Sequence, residues 1–82
     1  MYSLLYSDLA LKQLKKLEKS MQERILGTLE RARLRPHAHV KKLVGCPYFR
    51  LRVGDYRVIV DIKEDRLCVF VIEVGHRKNI YD

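Results

Sequence analysis

One segment, Tyr48 to Ile62, constrains this chain more than any other. Its apolar residues alternate with period two on both sides of Gly54-Asp55, a pair that suits a two-residue hairpin turn. The turn sets a register: Val53 opposite Tyr56, Arg52 opposite Arg57, Leu51 opposite Val58 and Arg50 opposite Ile59. Phe49, Leu51, Val53, Tyr56, Val58 and Val60 then form one apolar face, and Arg50, Arg52 and Arg57 share the other. Like charges placed directly opposite cost a sheet roughly 0.2–1 kcal/mol per pair. A sheet that carries this cost has an anion to put there, and the planar fork of arginine suits phosphate.

The chain has 82 residues, enough for one domain with a modest core, and is 48% hydrophobic, which argues against disorder. Its formal charge of +7 favours polyanionic partners: nucleic acid, an acidic protein or an anionic membrane surface. The membrane is the weakest of these, because no run approaches the ~20 apolar residues needed to span a bilayer. The start, Met1 to Asp8, lacks the basic and apolar regions of a signal peptide, so a cytoplasmic protein is expected. Cys46 and Cys68 make neither a disulfide framework nor a zinc site, and Cys68 reads as a small core residue. His37 and His39 beside Pro36 are two ligands without a third, so no metal is expected.

Tyr2 to Tyr6 reads as a first strand, followed by Ser7 as a helix N-cap with Asp8 in the first turn. Ala10, Leu14, Leu17 and Met21 fall on one helical stripe, with Lys12, Lys15, Lys16 and Lys19 largely off it. Ser20-Met21-Gln22-Glu23 is a capping box that starts or re-sets a second helix, whose face is Met21, Ile25, Leu29 and Ala32. Pro36 closes that helix, and Arg31, Arg33 and Arg35 load its end, where cations complement the dipole. His37 to Pro47 is expected to be a loop, Tyr48 to Val53 the second strand and Tyr56 to Lys63 the third. Glu64-Asp65-Arg66 is a polar turn, and Leu67 to Val74 a continuously apolar fourth strand, central in the sheet. Gly75 breaks the pattern, and His76 to Asp82 is a short polar tail. The fold class is α+β: a helical hairpin packed on one face of a small, mainly antiparallel four-stranded sheet, in the order β-α-α-β-β-β.

Several chemistries drop out. There is no phosphate-cradling glycine loop. Serines occur only at Ser3, Ser7 and Ser20, in strand and helix caps, which leaves no serine nucleophile. Glu64 and Asp65 are solvated turn residues rather than an acid/base pair. What remains is arginine, tyrosine and histidine. A single arginine at 52 or 57 would be read as a solvated residue paired with Asp55 or Asp61, but three facing one another favour a site. Arg77 lies just past a strand end, where functional residues often sit. His76 reads on its own as a loop or packing histidine, with a second reading as a group titrating near neutral pH. Tyr81 is either a core anchor or a stacking platform for a base, and the residues leave both open.

Leu43-x-Gly45, then Tyr48-Phe49-Arg50-Leu51-Arg52-Val53-Gly54-Asp55-Tyr56-Arg57-Val58, then Val71-Ile72-Glu73-Val74-Gly75-His76-Arg77-Lys78-x-x-Tyr81, resembles the RelE/ParE toxin superfamily. The resemblance covers essentially the whole chain, 1–82, as a single toxin domain. It implies the toxin of a type II toxin–antitoxin pair, a cognate antitoxin as partner and no cofactor. RelE-type members are endoribonucleases that cut mRNA in the ribosomal A site without a metal, the 2′-hydroxyl attacking the adjacent phosphorus. ParE-type members share the fold and poison DNA gyrase.

By the same resemblance, Arg57 holds the scissile phosphate, Arg77 stabilises the transition state and Tyr81 stacks on a codon base. Arg50 and Arg52 fall where the best-known RelE-type enzymes carry two lysines. Arg52, Arg57, Arg77 and Tyr81 are thus the implied catalytic set, with Arg50, His76 and Lys78 in substrate binding. Arginine at 50 and 52 is a departure, because its pKa above 12 bars it from ordinary base catalysis. The proton of the 2′-hydroxyl then passes to water, Tyr81, His76 or an rRNA group, and the arginines act on charge developing at phosphorus. A substrate-supplied nucleophile also accounts for a chain that shows none of its own. The missing lysines motivate another alternative beside the gyrase poison: a basic RNA- or protein-binding module without catalysis.

Overall fold

A computed structural model describes residues 1–76. Two helices and five strands follow in the order β1 (Ser3–Tyr6), α1 (Asp8–Lys15), α2 (Lys19–Ala32), β2 (Val40–Lys42), β3 (Phe49–Val53), β4 (Tyr56–Lys63) and β5 (Cys68–His76). Short 3₁₀ turns at Pro36–Ala38 and Glu64–Arg66 precede β2 and β5. The sheet order is β1-β5-β4-β3-β2, with β1 parallel to β5 and every other pair antiparallel. The α+β class and the helical hairpin on one face are as the sequence indicates. The sheet has five strands rather than four, because Val40–Lys42 leaves the expected loop and pairs with Phe49–Leu51. Three residues at a sheet edge are too few to show a period.

Helix α1 starts where Ser7 caps it: the Ala10 N–H donates to Ser7 Oγ at 3.0 Å. Ser7 Oγ in turn donates to the Ile72 carbonyl at 2.6 Å, which ties the helix start to β5. The expected capping box at Ser20 is not used. Glu18, with extended backbone (ψ 148°), is the N-cap of α2, so Ser20 already lies inside the first turn. Ala10, Leu14, Ile25 and Leu29 bury the helical stripe against Leu51, Val53, Val58, Val60, Ile62, Val69, Val71 and Val74. Ile25, Leu29, Val58, Val60, Val71 and Val74 are fully enclosed, and each such side chain contributes about 1.5–3 kcal/mol.

The β3–β4 hairpin has the register that alternation and the turn pair dictate, from Phe49 opposite Val60 to Val53 opposite Tyr56. Gly54 has φ +58° and Asp55 has negative φ, the pattern of a turn with glycine in its first central position. Strand β5 runs two residues beyond the expected end, through Gly75 to His76. It carries a bulge: Val60 pairs with Val71 but Ile59 pairs with Glu73, leaving Ile72 as the extra residue. The bulge is held from α1, where the Val74 N–H donates to Gln13 Oε1 at 2.6 Å.

Candidate active site

The sheet face away from the helices carries the arginines. Arg52 stands directly opposite Arg57, and Arg57 opposite Gly75. In the neighbouring row Lys41, Arg50, Ile59 and Glu73 line up across four strands. Four cations of β2, β3 and β4 thus share one face. Lys41 joins them only because Val40–Lys42 is a strand, and so it escapes a reading that makes this segment a loop. Glu73 is the acid of that row, and it was hidden inside a strand read only as apolar. Arg57 is partly buried, with its Nε enclosed. Arg52 is exposed, and its Nε donates to the Gly54 carbonyl at 3.3 Å.

Carboxylate pairing does not account for Arg52. Among the described residues Asp61 is engaged by Lys63 at 3.0 Å, and this hydrogen bond, with the aspartate charge, raises the Lys63 pKa. Asp55 is exposed at the turn, and no ion pair joins it to Arg52.

His76 is not on the arginine face. It pairs with Tyr56, and their rings meet edge to face at 5.4 Å on the helix side of the sheet. There it lines a groove with Gln13, Lys16, Leu17 and Tyr56. The bulge is the reason: the extra residue at Ile72 inverts the alternation beyond it. Arg77, Lys78 and Tyr81 lie outside the described residues. Among the described residues, no three His, Cys, Asp or Glu side chains converge as metal ligands, and no helix is long and apolar enough to cross a membrane.

A two-helix layer on a mixed sheet, with four cations on the face away from the helices, defines a small basic α+β protein. The chain belongs to the family described as the ParE toxin of type II toxin–antitoxin systems, whose family model matches residues 4–81. It is 31% identical over 80 residues to the mRNA interferase toxin RelE of Escherichia coli K12, an alignment covering 94% of this chain and 84% of that one. The fold superposes on the intact E. coli RelBE toxin–antitoxin complex with a TM-score of 0.79 and 31% identity, over 93% of this chain and 96% of the other. The Mycobacterium tuberculosis toxin–antitoxin complex RelBE2 gives a TM-score of 0.78 at 27% identity, covering 93% and 98%.

Proposed function

We propose that this toxin is a ribosome-dependent endoribonuclease that cleaves mRNA in the A site. The observation that carries the reading is the Arg52–Arg57 cross-strand pair on the sheet face away from the helices, flanked by Arg50 and Lys41. The similarity to a protein named mRNA interferase supports it. In the reaction the 2′-oxygen bonds to the adjacent phosphorus and the bond from phosphorus to the 5′-oxygen breaks. A 2′,3′-cyclic phosphate and a 5′-hydroxyl remain. One proton leaves the 2′-hydroxyl and one reaches the departing 5′-oxygen.

Guanidinium groups suit the charge that builds on the phosphoryl oxygens. Arg57, partly buried, holds the phosphate in place, while Arg52 and Arg50 stabilise the developing charge. Arg77 assists at the leaving oxygen and Tyr81 stacks on a base; these two roles rest on the family resemblance. The arginines cannot accept the nucleophile's proton. His76 faces the other side of the sheet, so the acceptor is water, Tyr81 or an rRNA group. The cationic surface also fits an antitoxin as neutralising partner, as in the RelBE complexes.

Primer extension on translated mRNA tests the reading. Cuts within codons are expected, abolished by 2′-deoxy substitution at the cut. Cleavage that survives the deoxy substitution overturns it. The ParE description of the matched family favours a second reading, a DNA gyrase poison. Supercoiling by purified gyrase decides that one: absence of inhibition removes it.

A further inference from the structure

The hairpin tip carries a cation that the arginine face does not include. Arg24, exposed on α2, lies over Gly54 from the helix side. A Cβ built on Gly54 would sit 3.1 Å from Arg24 Nη1 and 3.4 Å from both Cζ and Nη2. The Arg24 guanidinium therefore lies close to the hairpin tip at Gly54. Gly54 therefore serves twice: its φ of +58° makes the turn, and its bare α-carbon gives the guanidinium a seat that alanine would crowd.

From the opposite side of the tip, Arg52 Nε donates to the carbonyl of the same glycine. Two arginines from different elements are thus drawn to one residue. Among the described residues neither forms an ion pair with a carboxylate. Two guanidinium groups brought to one turn without a carboxylate suit a bidentate anion such as phosphate.

We propose that Arg24 is an RNA-binding residue, holding a backbone phosphate next to the one that reacts on the arginine face. This rests on the nuclease reading for its ligand class, RNA. A non-reacting phosphate held in this way contributes to substrate binding and register rather than to the chemical step.

The test is fluorescence anisotropy with a labelled 12-nucleotide single-stranded RNA carrying 2′-methoxy groups, which bind but cannot be cut. Salt is varied for the native chain, Arg24→Gln and Arg24→Lys. Loss of one phosphate contact lowers the slope of log K against log salt by about 0.7. Arg24→Gln is expected to lose that amount, and Arg24→Lys to keep the slope with weaker binding. In the cleavage assay Arg24→Gln is expected to raise KM and leave kcat in place.

An unchanged slope, no binding by the native chain, or a loss confined to antitoxin binding each overturns the proposal. The two readings fail separately. A native chain that binds RNA through Arg24 and never cuts it defeats the nuclease and keeps this site. A native chain that cuts, with Arg24→Gln indistinguishable from it, defeats this site alone.

Discussion

The two ends of the sheet treat arginine differently. At the end where β1 begins, Arg33 is tied into the fold. Its Nε donates to the Tyr2 carbonyl at 2.7 Å and its Nη1 meets Glu30 at 3.1 Å, while the Tyr2 N–H returns a bond to the Arg33 carbonyl. Beside it Glu64 accepts from Tyr2 at 2.8 Å and from His37, whose ring packs edge-on against Phe49. Partnered in this way, Arg33 joins the end of α2 to the start of β1. At the hairpin end, Arg24 and Arg52 gather around a glycine, and among the described residues no carboxylate pairs with either.

Substitutions sharpen this contrast, and the largest effect belongs to the arginine face. Arg57→Ala is expected to lower cleavage on translating ribosomes by about 10²–10³, the range for losing one preorganised donor. Near-native cleavage by a folded variant would remove Arg57 from the reaction. At the opposite end, Arg33→Ala is expected to cost stability and not chemistry. The loss is about 1.5–3 kcal/mol, the range for hydrogen bonds to a charged group, read from denaturant midpoints at unchanged activity per folded molecule. Ser7→Ala is expected to cost about 1 kcal/mol, since the cap is lost and the Ile72 carbonyl loses its partner.

The smallest effect is the pH response of the Glu64 clamp. Hydrogen bonds from His37 and then Tyr2 hold the Glu64 carboxyl below its ordinary value, against a small opposing push from burial. A carboxyl whose folded pKa is depressed stabilises the fold above its unfolded pKa. That contribution is lost as pH falls through the folded value. Thermal midpoints followed from about pH 6 to 3 should fall less steeply for Glu64→Gln than for the native chain. Parallel curves would show that the clamp contributes nothing.

The sequence disclosed most where side chains alternate in character. The hairpin register from Phe49 to Val60, the arginine pair across it, the Ser7 cap and the buried stripes of Ala10, Leu14, Ile25 and Leu29 could all be read from it. Strand β5 hid its bulge because a run of valine and isoleucine marks neither face. A slip of one residue leaves no trace in such a run, and so the side taken by His76 could not be inferred. Strand β2 was lost to brevity, and Lys41 with it. The seat of Arg24 depends on where a helix lies over a turn, and no local pattern encodes that packing.

The parallel pairing of β1 with β5 has a consequence for how the chain comes into being. Ser7, at the close of β1, bonds to Ile72, 65 residues later. Contacts this distant in sequence slow folding, because a long loop must close before they form. Strand β1 can therefore take its place only once Cys68 to Ile72 are present to pair with it.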